Sequence, residues 1–155
     1  MCKVSIIMPC FNDGAYIEES INSVLKQSYK EIELIVINDG STDDNTNEIL
    51  NKINHPLIKV YTTKNIGPAA ARNYGIQNAK GKYILPVDAD DLIHERYVEF
   101  CVKELEKNSN VGIVYCYAEL FGEQTGRWDL PDYSFKSMLL DNIIFVTSMF
   151  RKEDW

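Results

Sequence analysis

The sequence predicts an α/β fold of three layers, with helices on both faces of a mainly parallel central sheet, and three observations predict it. Short apolar runs alternate with stretches of helical periodicity from residue 4 to residue 117. Polar, acidic and glycine-containing segments at 12–14, 38–44 and 88–91 each follow an apolar run, which gathers them at the carboxyl edge of such a sheet. The 155 residues, 45% hydrophobic and 25% charged, suit one compact domain, and they hold no internal repeat, low-complexity tract or linker.

Val4-Ser5-Ile6-Ile7-Met8 reads as a buried strand, after which Ile17, Ile21, Val24 and Leu25 recur at helical spacing and give a helix with one buried face. Leu34-Ile35-Val36-Ile37 is the second strand. It runs into the acidic loop 38–44, where Ser41, Thr42 or Asp43 can cap a helix carrying Ile49 and Leu50. Residues 57–61 make the third strand. Gly67-Pro68 then opens an alanine-rich helix with proline in its first turn, and Gly81 is expected to end it. Tyr83-Ile84-Leu85-Pro86-Val87 is the fourth strand, Val98, Cys101, Val102 and Leu105 mark another amphipathic helix, and residues 111–117 restore a strand. After about Glu119 the pattern weakens. Gly122, Gly126, Trp128 and Pro131 predict a loop, residues 135–140 a short helix and residues 143–150 a last strand.

Composition excludes several function classes. Sixteen Lys and Arg against 23 Asp and Glu leave a net charge of −7, which repels phosphate backbones at long range and argues against nucleic acid as a partner. The longest apolar runs, 4–10 and 143–150, fall well short of the roughly 20 residues that cross a bilayer. The amino terminus enters a strand without a signal-peptide pattern, so the expected compartment is the cytoplasm. Cys2, Cys10, Cys101 and Cys116 form no CxxC pair and no disulfide framework, and are expected to be plain, mostly packed thiols. With only His55 and His94, histidine-based metal or triad chemistry has little material.

The edge loops carry the chemistry. A dinucleotide-binding enzyme would place G-x-G-x-x-G after the first strand, but Pro9-Cys10-Phe11-Asn12-Asp13-Gly14 stands there, and no G-x-x-x-x-G-K-[ST] loop occurs. Asp88-Ala89-Asp90-Asp91 offers another way to hold phosphate: crowded carboxylates repel one another unless a cation joins them, and Mn2+ or Mg2+ completes its shell with water and substrate phosphates. The plain rival is a solvated turn in which Asp91 caps the next helix, near His94. Asp39, after the second strand and before Gly40, can accept a ring N–H of a pyrimidine such as uracil, or can be a turn former.

These motifs together resemble a known family, the inverting family 2 glycosyltransferases, whose Rossmann-like nucleotide-diphospho-sugar transferase fold is called GT-A. The resemblance lies in Val4-Ser5-Ile6-Ile7-Met8-Pro9-Cys10-Phe11-Asn12, Ile35-Val36-Ile37-Asn38-Asp39-Gly40-Ser41-Thr42-Asp43, Asn65-Ile66-Gly67-Pro68-Ala69-Ala70-Ala71-Arg72-Asn73 and Val87-Asp88-Ala89-Asp90-Asp91, four ordered motifs over residues 4–91. It implies that Phe11 packs on the nucleobase beside Pro9, that Asp39 contacts the base, and that Arg72 lies near base and phosphate. It further implies that Asp88 reaches the ribose or a metal-bound water, that Ala89 sits between them in the donor site, and that Asp90 is the direct metal ligand. The rival readings are a core aromatic for Phe11 and a surface residue paired to an acid for Arg72.

The implied reaction is metal-dependent transfer, with inversion, of a sugar from a nucleotide-diphosphate sugar, a UDP-sugar first, to the hydroxyl of a saccharide or lipid-linked acceptor, as in polysaccharide biosynthesis. Such a protein needs no transmembrane segment but can associate peripherally with a membrane. In the family the catalytic base follows a Gly-Gly-aromatic stretch, which is absent here; Glu153 and Asp154 are weak candidates in a position that precedes it. The expectation is therefore a single domain, 1–155, truncated at its carboxyl end, with donor binding in 1–118 and the start of an acceptor side in 119–155, where Trp128 and Tyr133 are candidate wall residues. Two alternatives stay open. One is a sugar nucleotidyltransferase, which would want basic residues in 9–14; the other is a non-catalytic nucleotide- or metal-binding module.

Overall fold

The first apolar run becomes β1, Val4–Cys10, every residue of which is buried. In the computed structural model, which describes residues 3–155, β1 lies at the centre of a six-stranded sheet. It pairs in parallel with β2, Ile32–Asn38, on one side and with β4, Tyr83–Pro86, on the other. β3, Ile58–Thr62, continues the parallel order outside β2. Beyond β4 come β8, Met149–Arg151, which is antiparallel, and β5, Ile113–Val114.

Four helices follow the four parallel strands: α1, Ile17–Leu25; α2, Asp44–Lys52; α3, Pro68–Asn78; and α4, Tyr97–Lys107. The period-2 alternation of the strands assigns them to faces. Val4, Ile6, Met8, Leu34, Val36 and Leu85 form one core with Ile17, Ile21 and Val24 of α1, Leu50 of α2 and Val98, Val102 and Leu105 of α4. Ile7, Ile35, Ile37 and Ile84 point the other way and pack on Ala71 and Ile76 of α3. The result is the expected three-layer α/β/α arrangement, loaded unevenly.

The strand order 3-2-1-4 reverses at β1, so the loops after β1 and β4 diverge and leave a crevice at their carboxyl ends. Asp43 proves to be the cap of α2, its carboxylate accepting the Thr46 N–H at 2.7 Å. Pro68 occupies the first turn of α3 as expected, but that helix ends at Asn78. Gly81 serves a different purpose: a Cβ there would stand 2.5 Å from the Ser5 amide nitrogen, so the turn before β4 can press against β1 only without a side chain.

The later elements are shorter than their apolar runs. Of 111–117 only Ile113–Val114 pairs, and of 143–150 only Met149 and Phe150, joined by Arg151. Ile143 is buried without belonging to a strand, because apolarity there serves packing and not a ladder. The expected loop at 119–131 contains a small hairpin, β6, Ala118–Leu120, with β7, Gly126–Trp128, and the short helix α5 is confined to Phe135–Met138. Cys10 and Cys101 are buried free thiols and Cys116 is an exposed one; Cys2 lies outside the described residues. Among the described residues no helix is long and apolar enough to cross a membrane.

Candidate functional site

β1 delivers Pro9 and Cys10 to the crevice and then turns sharply through Asn12, whose φ of 63° lies in the left-handed region. β2 extends one residue past its last pair, the Asp39 N–H donating to the Cys10 carbonyl at 2.8 Å, and so sets Asp39 beside the end of β1. Gly40 follows at φ 74°, where a Cβ would meet the Asn65 amide nitrogen at 2.8 Å. That close approach lets the loop before α3 fold over Asp39.

Asp39 is buried and fully engaged on three sides. Its Oδ1 accepts the Thr63 hydroxyl and the Ile66 N–H at 2.8 Å, and its Oδ2 accepts the Gly67 N–H at 2.8 Å. Burial alone would push this carboxyl up, and the three hydrogen bonds overcome it, holding Asp39 below the ordinary carboxylate range. The residue is therefore an ionised carboxylate held in one orientation.

β4 ends at Pro86, and the Val87 N–H still donates to the Ile7 carbonyl at 2.9 Å, which fixes the start of the acidic turn against β1. Asp88 pairs with the Arg72 guanidinium of α3, and its own carbonyl accepts the Ser20 hydroxyl from α1 at 3.2 Å. Ala89 is buried while Asp90 stands exposed, with no hydrogen bond or ion pair among the described residues. Asp91 is no helix cap. α4 begins only at Tyr97, with Arg96 as its cap residue, and the Asp91 carboxylate faces the Thr147 hydroxyl at 3.5 Å. Burial pushes the Asp91 carboxyl up, and the neighbouring Asp88 and Asp90 push it further.

One cavity of about 300 Å³ takes in Pro9, Phe11, Asp39, Arg72, Asp88, Ala89 and Asp90, so all seven donor-side candidates meet at the reversal of strand order. Phe11 is 40% exposed and lines this cavity, which removes the core-aromatic reading. Arg72 does pair with an acid, but with Asp88 inside the cavity and not with a surface partner. Cys10, Asp13, Asn65 and Pro68 also line it and were not singled out as binding residues by sequence. The signals were present: Asp13 is the first acid after β1, and Asn65 opens the third motif and has a left-handed φ of 52°. The Cys10 thiol, pushed up to about 12 by burial, is not a nucleophile there.

Glu153 and Asp154 are not brought to this crevice. They belong to a 3-10 turn after β8, whose Lys152 N–H donates to the Lys82 carbonyl at 2.9 Å. β8 runs against β4, so this turn sits at the amino edge of the sheet, roughly 20 Å from Asp88 at about 3.3 Å per strand residue. Among the described residues no group of three or more His, Cys, Asp or Glu side chains is placed to hold a metal ion by itself. The available set, one free carboxylate at Asp90 with Asp88 behind it, fits a hard cation that takes most of its ligands from water and a substrate, and does not fit a structural zinc.

Known proteins are similar to this chain in sequence and in fold. A family model described as glycosyl transferase family 2 matches residues 5–152. A chondroitin synthase of Pasteurella multocida is 40% identical over 114 residues, 72% of this chain and 12% of that protein. TarS from S. aureus, solved as residues 1–349 in complex with UDP, superposes with a TM-score of 0.76 at 25% identity over 97% of this chain and 47% of that one. The mannosyltransferase PcManGT from Pyrobaculum calidifontis, solved with GDP-Man and Mn2+, gives a TM-score of 0.67 at 28% identity over 74% of this chain and 35% of that one. The chain spans well under two thirds of the length of these proteins. With its four motifs, its sheet order and this match over nearly its whole length, the chain belongs to glycosyltransferase family 2 and has the GT-A fold.

Proposed function

We propose that the crevice holds a uridine diphosphate sugar together with Mn2+ or Mg2+, as the donor site of an inverting glycosyltransferase. The observation that carries the proposal is the convergence of Phe11, Asp39, Arg72, Asp88 and Asp90 on one cavity at the switch point of the sheet. Asp39 supports uracil in particular. A carboxylate offers about four lone-pair positions, and three are taken, so one single N–H can still be accepted. Uracil presents one ring N–H, guanine a pair of adjacent N–H donors that wants two free acceptors, and cytosine an exocyclic amine beside an unprotonated ring nitrogen whose lone pair a carboxylate repels. Phe11 supplies an exposed ring for the base to stack on.

The diphosphate would lie between Arg72 and Asp90. Arg72 can exchange its bond to Asp88 for a phosphate oxygen, a move that also frees the Asp88 carboxylate. Asp90 would hold the divalent cation, which when bound offsets the negative charge growing on the departing diphosphate. Residues 1–118 then form the donor-binding part and 119–155 the start of the acceptor side, for a saccharide or lipid-linked hydroxyl. No residue of 119–155 lines the cavity, so no base is assigned within the chain, and weak or no turnover is expected from it.

Calorimetry tests the reading directly. UDP is expected to bind in the presence of Mn2+, at least tenfold more weakly without it, and GDP and CDP at least about tenfold more weakly than UDP, the size of one lost charged hydrogen bond. UDP binding that ignores both the metal and the change Asp90→Ala would sink the metal-clamp reading, and absence of UDP binding altogether would sink the donor-site assignment.

A further inference from the structure

Phe11 can stack on a base only if the turn that carries it is held, and part of that hold is local, the Phe11 N–H donating to the Asp13 Oδ2 at 2.9 Å. The residue that ties the turn to the neighbouring loop is Asn12, which does not line the cavity. Its Oδ1 accepts the backbone N–H of Thr42 at 2.8 Å and of Asp43 at 3.2 Å. Its Nδ2 donates to the Thr42 hydroxyl at 3.2 Å, and its own N–H donates to the Ser41 hydroxyl at 3.1 Å. Every one of these bonds crosses from the loop after β1 to the loop after β2.

The same seam closes two residues later, where the Gly14 N–H donates to the Thr46 hydroxyl at 2.7 Å and a Cβ on Gly14 would collide with the Thr46 amide at 2.7 Å. Asp39 meanwhile ties the end of β2 to Ile66 and Gly67. Three loops are thus joined in series around the base-facing end of the cavity, and Asn12 is the link on the Phe11 side. Its left-handed φ of 63° is a conformation that Asn tolerates best after Gly, so backbone shape and side-chain clamp are supplied by one residue.

We propose that Asn12 is a positioning residue for the nucleoside half of the donor: it acts through Phe11, touches no ligand, and leaves the metal–diphosphate half alone. The inference rests on the reading of the crevice as a uridine diphosphate site. An unclamped loop spends only part of its time with Phe11 in place, and the apparent affinity falls by that fraction.

The experiment compares UDP with inorganic pyrophosphate, each titrated in Mn2+, for wild type and for Asn12→Gly, Asn12→Ala and Asn12→Asp. Asn12→Gly keeps the left-handed turn and removes the clamp, whereas Asn12→Asp keeps an oxygen for both N–H donors. UDP affinity should fall about tenfold in the Gly and Ala variants and return to within about threefold of wild type in the Asp variant, with pyrophosphate unchanged throughout. Thr42→Val, on an exposed loop residue, removes the hydroxyl that meets Nδ2 at 3.2 Å and Oδ1 at 3.4 Å, keeps the Thr42 N–H, and should weaken UDP about threefold without disturbing the fold. Equal losses for UDP and pyrophosphate, or a Gly or Val variant that binds UDP like wild type, would overturn the positioning role. Absence of UDP binding in the wild type would instead refute the donor-site reading.

Discussion

Arg72 is a side chain held by one strong contact inside the cavity, the ion pair with Asp88. Its guanidinium neutralises Asp88, and its Nε is buried without a hydrogen-bond partner among the described residues, so the group is held in place but not saturated. Replacing it by Ala leaves Asp88 and Asp90 as two uncompensated carboxylates. We expect Arg72→Ala to weaken UDP about tenfold or more while binding free Mn2+ more tightly than wild type, both read by calorimetry. A parallel loss of both affinities would show that Arg72 only supports the fold. For Asp39→Asn the expectation differs, because an amide cannot accept from Ile66 and Gly67 with both of its ends. UDP binding should fall by more than about tenfold, and the amides of Ile66 and Gly67 should exchange with deuterium faster than in wild type.

Among the elements, those fully covered by helices were the readable ones. β1, β2 and β4 are buried along their length, so they appear in the sequence as near-continuous apolar runs interrupted by Ser5 and Glu33, and the acidic loops at their ends could be placed at one edge from the order alone. β5 and β8 were overextended because an apolar run reports burial and not pairing. Ile143 and Met149 are both buried, yet only Met149 is in a strand, and Ile113 pairs while 47% exposed. The residues that the motifs single out do converge on one cavity, whereas Asp13 and Asn65 reach it through turns whose shape no periodicity records. Gly81 looked like a helix terminator and is instead a point of backbone contact. Gly81→Ala must push a Cβ against the Ser5 nitrogen at 2.5 Å and the Val4 carbonyl carbon at 2.8 Å. It should cost about 1–3 kcal/mol by denaturant unfolding, and an unchanged midpoint would show that the turn has room to give.

At the scale of the whole molecule, acid is the informative perturbation. Glu33 is buried beneath α3, where burial would raise its carboxyl but Lys59, the Ser5 hydroxyl and the Lys80 N–H together lower it. Asp39 is lowered in the same manner at the other end of the sheet. A carboxyl lowered by folding stabilises in full above its unfolded value, and that stabilisation is lost as the pH falls through the folded value. Thermal melting should therefore hold level near neutrality and drop below the ordinary carboxylate range, and the drop should shrink in Glu33→Gln. The exposed apolar side chains of 117–140 form the opposite kind of surface: Phe135, Leu139 and Leu140 are 71, 69 and 82% exposed. Changing all three to Ser should leave the melting temperature nearly unaltered, since exposed positions contribute within about 0.5 kcal/mol each, while reducing binding of a hydrophobic dye.

The reversed direction of β8 has a practical consequence. Because it returns the chain to the amino edge of the sheet, where Lys152 is anchored to Ala79 and Lys82, the half-exposed Trp155 follows at the edge opposite to the one that carries Asp39 and Asp90. A chain immobilised through that end on a sensor surface would present its crevice to the flowing solution, so nucleotide affinities could be measured on a tethered layer without the tether competing for the site.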